Sequence, residues 1–260
     1  MRKRSWIGSA AAAMVFGVGS AAWAAAGDAQ VLNVGGVAGS GGTIKGVIKF
    51  DGRMANRRPI RMDQDPFCKT HNDAKPALDE KFVFGAGGEA ILQNVVVYVS
   101  KGLEGKDLPK SDAKPHLDQV GCVYVPHVLA MQTGELKILN GDNTLHNVKM
   151  TSANNGSFNE GMPVKDMELT KSFTKPEMGI QFKCDVHPWM GAFLHVFEHP
   201  YFAVTQADGT FTIQGLPAGE YEISVWHEFD KFTPDAASKP VKVEDGGEAS
   251  VEFTYRPPGS

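Results

Sequence analysis

The chain has 260 residues, 42% of them hydrophobic and 22% charged, which excludes a disordered polymer and leaves room for one large or two ordinary domains. Its formal charge of −4 makes nucleic acid and anionic membrane surfaces poor partners. Three cysteines are too few for a disulfide scaffold, and 29 glycines with 15 prolines favour short strands and turns over long helices.

The first residues read as an address. Arg2, Lys3 and Arg4 precede an apolar run from Ile7 to Ala22, and small residues follow at Ala22-Trp23-Ala24 and Ala24-Ala25-Ala26. This is the pattern of a cleaved secretory signal peptide over residues 1–26, and it implies a periplasmic location where disulfides persist. No later apolar run is long enough for a bilayer, so no membrane span is expected after cleavage. Residues 27–41 read as a flexible linker.

From Thr43 the pattern is strand-like. Thr43–Phe50 is β-prone and stops at the turn signal Asp51-Gly52, and Asn94–Val99 is a buried strand candidate. The stretch between them, with Pro59, Pro66 and Pro76, reads as irregular. Short β-prone segments then recur around 122–125, 135–139, 146–150, 171–174, 180–184, 192–197, 201–205, 211–213, 221–226, 241–243 and 249–253. A short helix is expected only within 154–168. Strands at this spacing, broken by Gly, Asp and Pro, predict an all-β sandwich architecture.

Cys184-Asp185-Val186-His187-Pro188-Trp189-Met190 lies between two such strands. One tight loop thereby offers a thiolate, an imidazole and a thioether. Soft sulfur with imidazole suits copper, whose mononuclear blue centre takes two His and one Cys in a plane with a distant Met. The second imidazole is assigned to His146, 38 positions earlier and preceded by turn residues. Zinc competes less well because it favours tetrahedral Cys/His sets without a thioether.

Residues 120–197 resemble a cupredoxin of the plastocyanin/amicyanin type 1 copper kind. The lead-in Tyr124-Val125-Pro126, the Gly134 turn, Asn140-Gly141-Asp142, His146-Asn147 and the Cys184–Met190 loop carry the resemblance. It implies a Greek-key β-sandwich with one copper ion held by His146, Cys184 and His187 and axially by Met190. It also implies that Asn147 ties the two ligand-bearing strands together and that His187 exposes a ring edge as the electron port. Pro188, lacking an N–H, cannot donate to the thiolate sulfur. Residues 204–225 resemble the later half of a carboxypeptidase regulatory-like, transthyretin-like β-sandwich. Its earlier half would be Thr43–Phe50 with Asn94–Val99. The expected organisation is therefore a discontinuous sandwich over 42–110 and 198–256, with the cupredoxin domain at 111–197 inserted in it, the alternative being domains in a row with the cupredoxin next to the sandwich.

Cys68 and Cys122 are assigned to a disulfide that closes a loop of about 54 residues, worth about 3–4 kcal/mol if unstrained. A zinc half-site built on Cys68 and His71, and free thiols, are the alternatives. His127, His195, His199 and His227 are structural histidines or a secondary metal or docking site. No nucleophile triad, phosphate loop or paired-carboxylate motif stands out, so an enzyme is not expected. The expected function is one-electron transfer with a redox protein such as a dehydrogenase, cytochrome or oxidase. The rival is a copper-binding or protein/glycan-interaction module.

Overall fold

The computed structural model describes residues 41–53, 56–84 and 90–259. The segment read as a signal peptide, and the linker up to residue 40, lie outside them. Among the described residues are seventeen strands and one short helix, so the architecture is all-β as the turn-punctuated pattern predicts.

Two four-stranded sheets are built from both ends of the described chain. In one, β1 (Gly42–Phe50) lies between β13 (Thr210–Leu216) and β17 (Glu248–Arg256), with β15 (Thr233–Pro234) at the edge. In the other, β2 (Val96–Lys101) lies between β12 (Phe202–Val204) and β14 (Gly219–Trp226), with β16 (Ser238–Val243) outermost. Alternation along these strands turns Ile44, Ile48, Val97, Ile213, Ile223 and Phe253 into one core, each of them fully buried. β1 runs parallel to β17 from Thr43↔Glu248 to Phe50↔Tyr255, so distant parts of the sequence share a sheet.

The strands between β2 and β12 form a second pair of sheets. One has the order β5 (Val128–Gln132), β11 (Gly191–Phe197), β10 (Glu177–Lys183), β7 (His146–Thr151), β8 (Phe158–Met162). The other has the order β4 (Val123–Val125), β3 (His116–Val120), β6 (Gly134–Asn140), β9 (Met167–Phe173). Leu117, Leu136, Ile138 and Phe173 meet Val148, Met150, Phe182 and Leu194 in their shared core. β5 is buried along its whole length because its outer face packs on Phe202 and Val204 of the first sandwich.

The helix is not where the sequence pattern places it. Residues 158–162 form β8, and the preceding turn is held by the Glu177 carboxylate, which accepts from the Ala153 and Asn154 amides. The helix is instead α1 (Pro66–Asn72), inside the stretch read as irregular. Asp65 caps it by accepting from the Cys68 amide at 2.9 Å, and Pro66 opens the first turn, where its missing N–H costs nothing. Residues 56–84 form a strap that leaves the first sandwich and lies on one end of the second. Met62 and Cys68 are buried there against Cys122, flanked by Phe67 and Trp189.

Candidate metal centre

The antiparallel pairing of β7 with β10 matches Phe182 to Met150 and Lys183 to Lys149. Cys184, one step past β10, therefore lies beside the start of β7, where His146 and Asn147 stand. The loop then turns tightly, with the Met190 amide donating to the His187 carbonyl at 2.9 Å. Asn147 fastens this loop: its carboxamide oxygen accepts from the Asp185 amide at 2.7 Å and the Val186 amide at 3.2 Å. Its amide nitrogen is fixed in turn by Asn159 at 2.6 Å.

Three donor atoms converge. Nδ1 of His146 is 2.9 Å from Nδ1 of His187, and Sγ of Cys184 is 3.8 Å from the latter. One donor from each of these residues lies within 4.8 Å of the other two, and all three residues are buried. Donors at about 2.0–2.3 Å from one ion stand about 3–4 Å apart, so the spacing fits a shared ion. The amides of Asn147 and His187 reach the sulfur at 3.5 and 3.3 Å. Pro188 is exposed and supplies no such bond. Met190 is buried in the same core cluster as Cys184.

Two carboxylates that the sequence reading did not single out set the protons. Oδ2 of Asp142 accepts from Nε2 of His146 at 2.9 Å, and Oδ2 of Asp65 accepts from Nε2 of His187 at 3.3 Å. A carboxylate at the outer nitrogen fixes the tautomer and leaves the inner nitrogen as a lone pair. Both Nδ1 lone pairs then face each other, an arrangement that only a cation or a proton relieves. Burial works to lower the His146 pKa, but the bonds to Asp142 and Cys184 overcome it and push the pKa up to about 9. Burial holds the His187 pKa below its usual value despite Asp65, and the charge on His146 adds to this. Burial opposes ionisation of Cys184, yet the bonds from His146 and the surrounding amides bring its pKa below the ordinary thiol value.

Asp142 also builds the wall beside the site. Its two oxygens accept from the Gly121 and Cys122 amides, each at 2.7 Å. Those residues form the two-residue hairpin between β3 and β4, with positive φ at both (64° and 61°), the type I′ geometry. Cys122 is thereby presented to Cys68, and the two form a disulfide. A zinc half-site on Cys68 does not form.

The expectation that His187 exposes a ring edge is corrected. The residue is 1% exposed. Asp65, the Cys68 sulfur at 3.7 Å and the Trp189 ring at 5.0 Å cover it. The reason is the strap, which arrives from more than a hundred residues earlier and is pinned by the disulfide, by Asn72 donating to the Gly121 carbonyl and by Thr144 donating to Asp65.

Of the remaining six histidines, none belongs to a metal-capable group among the described residues, and the four singled out in the sequence are partnered separately. His127 bonds the Gly191 carbonyl at 3.0 Å and the Glu228 carboxylate at 2.6 Å. His195 is fully buried edge-on to Trp226, with ring centres 4.1 Å apart. His199 stacks on Phe197 and Tyr201, and His227 on Phe232.

No family model and no curated protein matches the chain. Solved structures do match in part. A copper-containing nitrite reductase from Thermus scotoductus SA-01 aligns at 21% identity over 36% of this chain and 24% of its own, with a TM-score of 0.29. The match thus spans about a quarter of that enzyme. A purple cupredoxin from Nitrosopumilus maritimus aligns at 18% identity over 32% of this chain and 100% of its own, with a TM-score of 0.28. A mutant amicyanin in the Cu(I) state aligns at 17% identity over 39% of this chain and 98% of its own, with a TM-score of 0.29.

Proposed function

We propose that the chain is an exported, periplasmic type 1 copper protein that transfers single electrons between redox partners, and that it is not an enzyme. The observation that carries this is the convergence of Nδ1 of His146, Nδ1 of His187 and Sγ of Cys184. Each imidazole is oriented by a carboxylate, and all three donor residues are buried. The residues that would hold the ion are His146, Cys184 and His187, with the Met190 thioether as a further donor from the same loop. Copper bound there supplies the Cu(I)/Cu(II) couple. Asp142 and Asp65 hold the outer imidazole protons. Asn147 fixes the loop, and the Asn147 and His187 amides hydrogen-bond the sulfur. In this reading the strands at both chain ends form the host sandwich, and a dehydrogenase, cytochrome or oxidase is the partner.

The burial of His187 favours a second reading, in which the protein holds copper without an exposed electron port. The test is to add Cu(II) to the purified protein. An intense thiolate-to-copper absorption in the visible that ascorbate bleaches reversibly, with fast reduction by a small inorganic reductant, supports the carrier. Stable copper that exchanges electrons slowly until the strap is loosened supports the second reading. A colourless protein overturns both as type 1 assignments.

A further inference from the structure

The strap places a second set of donors behind the same two imidazoles. Nε2 of His187 lies 3.7 Å from Sγ of Cys68 and 3.3 Å from Oδ2 of Asp65, and the donor atoms of these three residues fall within 4.8 Å of one another. Cys122, Asp142 and His146 form another such triplet on the neighbouring side. The Cys68–Cys122 bond joins the two triplets. Three sulfurs, two imidazoles and two carboxylates thus make one contiguous cluster around His187. While the disulfide stands, neither of its sulfurs is a thiolate, and thiolate is the form that ligates metals. Both sulfurs are fully buried, yet the strap that carries Cys68 is seated by one small apolar cluster and a handful of side-chain bonds.

We propose that the Cys68–Cys122 pair is reducible in the folded protein and that its dithiol form is a second metal site, specific for a soft ion such as Cu(I). The two thiolates are its principal ligands, and Asp65 and Nε2 of His187 flank it. It lies beside the first site and shares the His187 ring with it. Two thiolates are a soft donor pair of the kind that Cu(I) prefers. The proposal rests on the copper reading only for the identity of the inner ion.

The sulfur chemistry balances with an external dithiol as the reductant. Its thiolate attacks one sulfur of the pair, the Cys68–Cys122 bond breaks, and a mixed disulfide forms. The reductant's second thiol displaces the protein sulfur and leaves as a disulfide. Two electrons and two protons end on Cys68 and Cys122. Binding of the ion then releases those two thiol protons to solvent.

The experiment is an anaerobic Cu(I) titration of the whole chain against a chromophoric Cu(I) chelator, in the oxidised and the dithiol-reduced states. Near-ultraviolet circular dichroism is recorded in each. The oxidised chain is expected to hold one ion and the reduced chain two. Reduced Cys184→Ser should keep one ion, whereas Cys122→Ser should lose only the second. Alkylation mapped by mass spectrometry should find Cys68 and Cys122 reactive in the reduced metal-free chain and protected once the second ion is bound. A reduced chain that holds one ion overturns the proposal, as does a second ion that survives Cys122→Ser, or a reduced chain that loses its tertiary signal. If the oxidised chain holds no ion, the copper reading fails by itself. The reduced Cys184→Ser arm still decides the second site.

Discussion

Nδ1 of His146 stands 2.9 Å from Nδ1 of His187, while the Nε2 of each ring is turned to a carboxylate. Burial works to lower the His146 pKa, but the bonds to Asp142 and Cys184 raise it to about 9, so without an ion the ring carries an extra proton near pH 7. Metal binding must displace it. In weak buffer near pH 7, addition of Cu(II) is therefore expected to release about one to two protons per ion, from His146 and Cys184. A pH-stat reads this directly, and uptake with no proton release would contradict the assigned donors.

Asp142 is expected to matter as much as a ligand. Asp142→Ala frees the His146 tautomer and strands the Gly121 and Cys122 amides. Loss of a carboxylate behind a ligating His typically costs 10–100-fold in metal affinity. Each stranded buried amide adds about 1–3 kcal/mol of destabilisation. Competition with a chelator measures the first effect, and urea unfolding of the metal-free chain the second. Unchanged affinity would remove Asp142 from the site.

The two sandwiches are clamped by His127 and Glu228, which are nearly buried and 2.6 Å apart. Burial works to lower the His127 pKa, but the Glu228 bond and charge outweigh it and raise the pKa. A raised histidine contributes its stability below the unfolded value near 6.5 and loses it as pH climbs through the native value. Glu228→Gln should therefore destabilise by about 3–5 kcal/mol at pH 6, the scale for breaking a buried pair, and by less at pH 9. Thermal melts at both values check this, and an equal loss at each would place the interaction outside any ion pair.

Acid should act through other histidines. Burial lowers the pKa of His195 to about 3, and of His199 and His227 to about 4. Each stays neutral in the native protein but takes up a proton near pH 6.5 once unfolded. Stability then falls from pH 6.5 downward until the native values are reached. His195→Phe should flatten that limb by up to about 1.4 kcal/mol per pH unit. Urea midpoints at pH 7 and pH 4.5 read the slope, and an unaltered slope would show that His195 does not titrate on unfolding.

Much of this was legible from residue order, for local reasons. Strand positions follow from β-branched alternation between Gly, Asp and Pro. The loop carrying Cys184, His187 and Met190 announces its chemistry within seven residues. His146 was within reach because turn residues precede it at the head of a strand. Asp142 was hidden because Asn140-Gly141-Asp142 reads as a turn, and only the register of β3 against β6 aims its carboxylate at His146 and the Cys122 hairpin. α1 escaped because seven residues that begin with proline show no two-turn periodicity. Its Asp65-Pro66 pair was the one signal available. The burial of His187 depends on Asp65 and Cys68, more than a hundred positions away, and no local pattern encodes that approach.

One ion is expected to draw together the two inner imidazole nitrogens and the Cys184 sulfur. X-ray absorption at the copper edge of the loaded, disulfide-intact protein tests it most directly. It should show one short sulfur and two nitrogen scatterers, with the sulfur lost in Cys184→Ser and one nitrogen lost in His146→Gly. A shell of oxygen and nitrogen alone, unchanged by Cys184→Ser, would place the ion elsewhere and contradict the assignment.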